Sequence, residues 1–287
     1  MKNFYIKIQY YNLNYLEKSD LDGLMNNENN YKKYIAKKIT NQESTTTDGW
    51  LIPNKLLPVD RGENKNKLII ANIIKKKRVV VKISKRKELL EKDFFISKKL
   101  EELKCLNFAK YLGFFTNDIN KPLPKYFCKN NGTENYFLFM EYYDFGSILN
   151  YIPKSLNEII SILNQVIASA TLAFEHFGFI HRDLHPGNIL IKKTKKDLIK
   201  YKFTDKDLEI KINGIQIVMF DFDRSNFSAN FAMFFSELSA FINFYEMYLI
   251  EKNIFNKNNK LVTPFSHLKK EFYKIINITQ LKEFIGN

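Results

Sequence analysis

The chain has 287 residues, and 45 Lys and Arg against 31 Asp and Glu give it a formal net charge of +14 at pH 7. Hydrophobic residues make up 45% of the chain and aromatic residues 15%, enough to bury a core, which excludes an extended disordered polyelectrolyte. A chain of this length suits one large domain or two small lobes that share a cleft.

The excess of lysine is spread over many short clusters, such as Lys75–Arg78 and Lys85–Lys87. These clusters are not interleaved with aromatic residues in the way that stacks bases, so the sequence favours a solvated basic surface. A nucleic-acid partner is therefore not required, and the oligomeric state is left open.

The cysteines and the N-terminus indicate the compartment. Cys105 and Cys128 have no close Cys or His partners, so we expect neither a disulfide framework nor a zinc site. The N-terminus lacks the apolar core of a signal peptide, and no run reaches the roughly 18 apolar residues of a membrane span. We therefore expect an intracellular protein, cytoplasmic or nuclear, with no membrane span.

The first part of the chain is predicted to contain a hairpin and one helix. Residues 1–48 are rich in Asn, Lys and Tyr and are predicted to be an N-terminal extension. The β-branched runs Leu68–Ile74 and Val79–Ile83 flank a basic turn and predict a β-hairpin. Apolar residues between Lys85 and Leu103 recur at helical spacing with no Gly or Pro among them, which predicts one amphipathic helix.

The rest of the chain is predicted to be mainly helical. A buried strand at Tyr136–Tyr142 leads through a turn into a mostly helical stretch from Ile148 to Phe177, which ends at Gly178. This order of elements predicts an α+β fold with two lobes, a small β-rich lobe over residues 49–141 and a reduced, mainly helical lobe over residues 142–287.

Two further elements follow. The charged insertion Lys192–Asn213 alternates like a strand on either side of Asp205–Asp207, which predicts a hairpin with its tip there. An apolar helix is predicted to begin near Asn230.

The most informative stretch is 181–191, which reads H-R-D-L-H-P-G-N-I-L-I. It matches the pattern H-R-D-x-x-x-x-N, in which an Asp orients the accepting hydroxyl and an Asn five residues later binds a metal ion. Phosphoryl transfer depends on positioning and charge neutralisation, so both groups must project from one short loop. Asp183 and Asn188 are the candidate base and metal ligand, and Arg182 is a further candidate catalytic residue.

A second motif follows the apolar strand that begins at Ile215. Residues 221–223, which follow this strand, read D-F-D. They correspond to the metal-binding D-F-G motif, with Asp221 as the Mg²⁺ ligand. Asp223 replaces the glycine and is interpreted as a turn or cap residue, not as a third ligand. Without the freedom of glycine, Asp223 should restrict flipping of Phe222.

A third motif lies upstream, where residues 79–82 read V-V-V-K. This fits the strand V-A-I-K, whose lysine contacts the nucleotide phosphates and pairs with a helix Glu. Lys82 is therefore a candidate catalytic residue, expected to orient phosphates and not to pack the core. Glu91 is the preferred partner, because apolar residues follow it as a buried helix face requires, and Glu88 is the alternative.

In this order the three motifs resemble the protein-kinase superfamily, over roughly residues 60–250. Within it, the chain is most similar to haspin-like kinases and to the serine/threonine kinases of large DNA viruses, including the poxvirus type. Three features carry that likeness: His185 where ordinary kinases have Lys, the long insertion between Asn188 and Asp221, and D-F-D in place of D-F-G.

The resemblance implies a protein-kinase-like fold, ATP and Mg²⁺ as cofactors and a protein substrate. It implies that Met140 is the gatekeeper and that the hinge, which holds adenine, consists of Glu141, Tyr142 and Tyr143. The nucleotide site would also include Lys82, Glu91, Asn188 and Asp221, the last two as metal ligands. A viral member would act in the host cell or the virion.

The chain also departs from the kinase pattern. No G-x-G-x-x-G precedes Lys82, where only Gly62 is near the expected position, and no A-P-E follows Asp223. The helix predicted from near Asn230 leaves almost no room for an activation loop. Regulation by phosphorylation of such a loop is therefore not expected.

Three functions are weighed. The first is an active ATP-dependent serine/threonine protein kinase. The second is a small-molecule phosphotransferase of the aminoglycoside or choline kinase type, since H-P-G-N at residues 185–188 also resembles their H-x-D-x-x-P-x-N loop. The third is a pseudokinase that acts as a binding module. Arg182 and the insertion favour a protein substrate, and the presence of Lys82, Asp183, Asn188 and Asp221 places the pseudokinase third.

His185 has two open interpretations. The resemblance places it where a Lys would stabilise the transferred phosphate, and an imidazole there would make the rate depend on pH near neutrality. Alternatively, its ring hydrogen-bonds the loop backbone.

Overall fold

The computed structural model describes residues 51–57, 67–73, 77–84, 86–116, 136–143, 145–257 and 261–286. The predicted extension at residues 1–48, Gly62 and Cys128 lie outside the described residues. The chain divides into two compact units. One comprises the chain up to Phe95 with Lys110–Tyr142, and the other comprises Ile96–Ala109 with Tyr143–Asn287.

The first unit contains a five-stranded antiparallel sheet, whose strands are Leu51–Leu57 (β1), Lys67–Ile73 (β2), Lys77–Ser84 (β3), Tyr111–Thr116 (β4) and Tyr136–Glu141 (β5). Their order in the sheet is β1-β2-β3-β5-β4. The predicted hairpin is confirmed as β2 and β3. Because β3 is the central strand, Lys82 lies between Leu68 of β2 and Leu138 of β5.

The predicted amphipathic helix is confirmed as α1, Lys87–Glu101. It follows Ser84, whose Oγ accepts a hydrogen bond from the backbone N–H of Arg86 at 3.1 Å. One stripe of the helix is buried, and its members are Leu90, Asp93, Ile96, Ser97 and Leu100. Their spacing of three and four residues is that of a single helix face.

The second unit is mainly helical. Its helices are Leu156–Phe177 (α2), Phe231–Glu251 (α3), Ile254–Lys257 (α4), Val262–Phe272 (α5) and Ile278–Gly286 (α6). Its strands form antiparallel pairs: Phe179–Ile180 (β6) with Asn226–Phe227 (β11), Ile189–Lys193 (β7) with Ile215–Met219 (β10), and Leu198–Lys202 (β8) with Asp207–Lys211 (β9). A strand-rich first part and a helical second part confirm the α+β class.

Helix α2 begins later than the sequence predicts. A short 3₁₀ turn covers Ile148–Asn150, and α2 starts only after Ser155, whose side chain accepts from the N–H of Glu158. Pro153 explains the gap, because proline lacks the N–H and restricts the residue before it. The predicted end at Gly178 is confirmed, with φ of 65° in the left-handed region.

Helix α2 is also the one helix of the described chain that is long and apolar enough to cross a membrane by length and composition. In the structure 72% of its most apolar window is buried within the protein. This is the environment of a core helix, which agrees with the expectation of no membrane span.

A buried amide pair holds β10 in place. Asn107 donates to the carbonyl of Ile217 at 2.8 Å, and Gln165 of α2 donates to the carbonyl of Ile215 at 2.9 Å. The two amides also bond to each other at 3.2 Å, and both are fully buried. Because buried amides need such partners, they fix the strand that leads to Asp221.

The predicted hairpin of the insertion is confirmed as β8 and β9, and it packs into the second unit. Tyr201 is fully buried, and its hydroxyl donates to Oδ1 of Asn107 at 2.7 Å. Lys282 of α6 is also buried and pairs with Glu175 at 2.7 Å and with Asp205 at the hairpin tip at 2.6 Å. The insertion is thus part of the core and not a loose appendage.

We expect Lys282→Ala to lower the free energy of unfolding by about 3 kcal/mol, because it leaves the largely buried Glu175 carboxylate without its cation. Burial raises the pKa of Glu175, but hydrogen bonds from Lys282 and Thr204 outweigh it and lower the pKa below its usual value. The ion pair therefore contributes its full stability at pH values above the ordinary carboxyl pKa. The loss of stability caused by Lys282→Ala should become smaller as the pH falls through the lowered pKa of Glu175.

Urea unfolding at several pH values measures this effect. Lys274→Ala is the control, since Lys274 forms an exposed ion pair with Glu271 on the neighbouring segment, and it should change stability by no more than about 0.5 kcal/mol. Equal losses in the two variants would contradict the prediction.

Candidate active site

Lys82 forms a buried ion pair in the first unit. Its Nζ lies 3.0 Å from Oδ2 of Asp93, and the two side chains are 11% and 0% exposed. Lys82, which is expected to orient phosphates and not to pack the core, is itself largely buried, because the β-branched run around it forms the central strand of the sheet. A buried pair of this kind fixes the position of the ammonium group.

The predicted partner Glu91 is wrong, and so is the alternative Glu88. Asp93 lies on the buried stripe of α1, whereas Glu91 and Glu88 are exposed. Glu91 pairs instead with Lys87, one turn earlier, at 3.4 Å. Residues follow each other by about 100° around a helix, so a shift of two positions moves a carboxylate from the buried face to solvent.

The candidate catalytic loop lies between β6 and β7 in the second unit. Arg182 has φ of 63°, a left-handed conformation that is strained for a residue other than glycine. The side chain of Asn188 reaches back and donates from Nδ2 to the carbonyl of Asp183 at 2.9 Å. This bond closes the loop on itself and brings the two predicted residues together.

Buried contacts of His181 anchor the loop. His181 is 1% exposed, and its Nε2 lies 2.9 Å from the carbonyl of Phe220. Its N–H donates to Oε2 of Glu237 in α3 at 2.9 Å, and its carbonyl accepts from Oγ of Ser225 at 2.9 Å. The loop is thus tied both to α3 and to the segment that carries Asp221.

Sequence reasoning missed Glu237. Burial raises the pKa of this carboxyl, while the charge of His181 and the backbone N–H groups of His181, Arg182 and Leu184 lower it in part. Glu237 stands in an apolar helix far along the chain, with no motif around it, so only its position against the loop identifies it.

Asp221 lies beside Asn188. The N–H of Phe220 donates to the carbonyl of Asn188 at 3.1 Å, so the backbones that carry the two predicted metal ligands run side by side. Asp221 has φ of 68°, a second left-handed residue in the candidate site. Such strain costs about 1–3 kcal/mol and is typical of functional sites.

Phe222 is fully buried and packs against three other rings. Its ring centroid lies 5.5 Å from His181, 6.0 Å from Phe179 and 6.5 Å from Phe108. This packing holds Phe222 in place, and the expected restriction of its flipping by Asp223 stays a prediction. Rings at these tilted geometries stabilise a core beyond their buried area.

Asp223 lies in a turn, as predicted, in which the N–H of Ser225 donates to the carbonyl of Phe222 at 3.0 Å. The same turn presents Arg224, whose Nη1 lies 3.5 Å from Oδ1 of Asp183. Sequence reasoning did not single out Arg224. Among the described residues, Arg224 is a cation that lies against the candidate base.

His185 contacts the loop backbone. Its Nδ1 accepts a hydrogen bond from the N–H of Gly187 at 3.1 Å and so caps the short 3₁₀ turn Pro186–Asn188. A Cβ at Gly187 would lie only 2.6 Å from Cε1 of His185, so this close approach requires glycine. The geometry favours the backbone interpretation of His185.

We expect His185→Asn to keep wild-type stability and turnover, because an Asn oxygen can accept the same N–H bond. His185→Ala should lose about 1 kcal/mol of stability, the usual cost of a lost cap. Thermal unfolding and pH–rate profiles between about pH 6 and 8 measure both effects. A His185→Lys variant that flattens the pH profile at full activity would instead assign a role at the phosphate.

The predicted hinge residues follow β5. Glu141 is its last residue, and its N–H donates to the carbonyl of Lys110 at 3.1 Å. Tyr142 follows, and Tyr143, which belongs to the second unit, is buried and accepts from the N–H of Gly146 at 3.2 Å. Met140 is buried in β5 opposite Val80. Their roles at adenine stay predictions.

A central lysine with a buried carboxylate partner, an anchored H-R-D loop and an adjoining D-F-D turn are the features of a protein-kinase-like fold. A family model described as the haspin-like kinase domain matches residues 14–275. The chain therefore belongs to the haspin-like kinase family. This confirms the resemblance to haspin-like kinases, whereas the likeness to viral kinases stays a prediction.

Curated relatives match part of the chain. "Serine/threonine-protein kinase haspin" of Mus musculus is 32% identical over 108 residues, which is 36% of this chain and 14% of the relative. The protein of the same name from Bos taurus is 35% identical over 107 residues, with the same shares. "AarF domain-containing kinase 1" of Drosophila melanogaster is 26% identical over 149 residues, 51% of this chain and 26% of the relative. The chain thus spans only a small part of the length of these relatives.

Proposed function

We propose that this protein is an ATP-dependent serine/threonine protein kinase that transfers the γ-phosphate to a protein hydroxyl. One observation carries the proposal. Two hydrogen bonds, from Asn188 to Asp183 and from Phe220 to Asn188, hold the loop and the segment ending in Asp221 together. Phosphoryl transfer requires such positioned oxygen groups on adjoining rigid segments.

In the proposed reaction, the substrate hydroxyl oxygen attacks the γ-phosphorus in line with the leaving oxygen of ADP. A P–O bond to the substrate forms, the bond to ADP breaks, and Asp183 accepts the hydroxyl proton. The Asp183 side chain is 29% exposed, so a substrate can reach it. Lys82, positioned by Asp93, would orient the nucleotide phosphates.

The residues present fit a magnesium ion. Nδ2 of Asn188 donates a hydrogen bond to the carbonyl of Asp183. Oδ1 of Asn188 makes no hydrogen bond to any residue that the structure describes. This amide oxygen and the Asp221 carboxylate are the oxygen ligands that Mg²⁺ prefers, with phosphates supplying others. When bound, the ion would neutralise charge on the phosphates.

We expect Asp221→Ala to abolish Mg²⁺-dependent nucleotide binding and turnover, since it removes the main carboxylate proposed for the ion. Asp223→Ala is the matched control, two residues away in the turn, and should have far less effect. Calorimetric titration with Mg²⁺ and a nucleotide, together with the turnover number, measures both. Equal losses in the two variants would overturn the assignment of Asp221.

The function is tested by incubation with ATP carrying a labelled γ-phosphate and basic or acidic protein substrates. Label in protein Ser or Thr that disappears in Asp183→Ala supports the proposal. Transfer only to aminoglycosides or choline would indicate a small-molecule phosphotransferase. Nucleotide binding without any transfer of phosphate would indicate a pseudokinase. Fractionation of cells tests the accompanying proposal that the protein acts in the cytoplasm or nucleus.

A further inference from the structure

A groove of about 920 Å³ lies beside the candidate catalytic loop. Residues Arg182–Gly187 and Leu149 line one side. Helix α3 lines the other with residues three or four positions apart, chiefly Met233, Glu237, Ala240, Phe244, Met247 and Glu251. This spacing means that these residues lie on one face of α3.

The groove is apolar although it is open to solvent. Met233, Phe244 and Met247 are 45%, 49% and 54% exposed, and Leu149 is 37% exposed. Large apolar side chains gathered on one exposed surface are typical of a binding site, whereas scattered ones are not. Met side chains in particular adapt to varied apolar partners.

The short connection before α3 leaves this face open. Only residues 224–230 separate the D-F-D turn from Phe231, and two of them pair with β6 as β11. Asn230 then caps α3, its Oδ1 accepting from the N–H of Met233 at 3.0 Å. No activation loop is therefore present between the turn and the helix to cover the groove.

The position of Asp183 identifies the occupant. Asp183 itself lines the groove, so a protein that presents a hydroxyl to this carboxylate must place its neighbouring residues along α3. Of the other charged lining residues, Arg182 belongs to the catalytic loop, and Glu237 is engaged with the loop backbone. Glu251 is exposed and has no ion pair with any residue in the described part of the chain.

The length of the groove sets the size of the occupant. Glu251 lies 14 residues after Glu237 in α3, which corresponds to about 21 Å along the helix axis. An extended chain rises about 3.3 Å per residue, so roughly six residues span this distance. The C-terminal end of a helix and a carboxylate both favour a cation there.

We infer that this groove selects the protein substrate, and that it takes an extended segment with large apolar side chains near the acceptor Ser or Thr and a basic residue at the end nearest Glu251. The inference rests on the proposed kinase function and specifies its substrate class. The apolar wall, Phe244 and Met247 above all, provides most of the selectivity, and Glu251 adds preference for the basic residue.

Direct peptide binding tests this inference without phosphoryl transfer. Two fluorescent peptides of equal length and charge carry Ala at the acceptor position. The apolar peptide has Leu and Met around this position, and the polar peptide has Ser and Gln there. The full chain should bind the apolar peptide at least tenfold more tightly. Phe244→Ala and Met247→Gln should each remove most of this preference at unchanged melting temperature, since both side chains are half-exposed.

Ile250→Ala is the matched control, because Ile250 is 48% exposed on the same helix and does not line the groove. It should keep the preference. Equal binding of both peptides, or an equal effect of Ile250→Ala, would overturn the inference. Apolar binding that emerges only after deletion of residues 1–48 would also overturn it, by assigning the groove to the chain's own N-terminal segment.

The same peptides with Ser restored separate this inference from the proposed function. Phosphorylation of the apolar peptide with a lower KM and a similar kcat supports both. Preferential binding without any phosphorylation would leave the groove assignment standing and overturn the kinase function. Glu251→Gln should weaken binding only of peptides that carry the basic residue.

Discussion

Asp183→Asn should lower the turnover number for phosphorylation of a protein substrate by about 10²–10⁴-fold, because the amide cannot accept the hydroxyl proton. ATP affinity should stay within a few-fold of wild type, since the proposed metal ligands remain. Stability should also be kept, because Asn188 bonds the backbone carbonyl of Asp183 and not its carboxylate. Single-turnover transfer and nucleotide titration measure the two effects separately.

The control is Asp207→Asn, which also neutralises a carboxylate in the second unit. Asp207 pairs with Lys200 on the solvent-facing side of the insertion hairpin, with side chains 46% and 49% exposed, and loss of this pair should leave turnover unchanged. Wild-type turnover in Asp183→Asn would show that another group accepts the proton.

Lys82→Met should lower turnover by at least about 10²-fold, because the cation proposed to orient the phosphates is lost. It should also lower stability by about 3–5 kcal/mol, since the fully buried Asp93 carboxylate loses its partner. Asp93→Asn should reproduce much of the loss of turnover by freeing the lysine from its position. Chemical unfolding and turnover at a temperature well below the transition separate the two effects.

Glu91→Gln distinguishes the observed pairing from the one expected from sequence. Its exposed pair with Lys87 contributes at most about 0.5 kcal/mol, so both stability and turnover should stay near wild type. Loss of turnover in Glu91→Gln together with a neutral Asp93→Asn would contradict the role given to Asp93.

Continuous patterns were enough to predict most elements and the catalytic loop. The β2–β3 hairpin, α1, the insertion hairpin and the start of α3 follow from local periodicity, because a buried strand or helix face imposes its own spacing. The loop at 181–188 and the D-F-D turn were recognisable because the chemistry demands particular residues at fixed short separations.

Prediction failed where a side chain's environment depends on distant parts of the chain. The sequence places Glu88, Glu91 and Asp93 within two turns of one helix, and each could pair with Lys82. Only the packing of α1 decides that Asp93 lies on the buried stripe. Which carboxylate pairs with Lys82 depends on how α1 is rotated about its axis relative to the sheet. The charges and spacing of the residues do not specify this rotation.

The sequence by itself thus determined the class of chemistry and the residues that could carry it, because those residues form contiguous motifs. Only the tertiary structure decided how they are held. Glu237 anchors the loop from a helix 56 residues away, and Arg224 approaches Asp183 across 41 residues. These contacts arise from the packing of separate segments, and no local pattern records them.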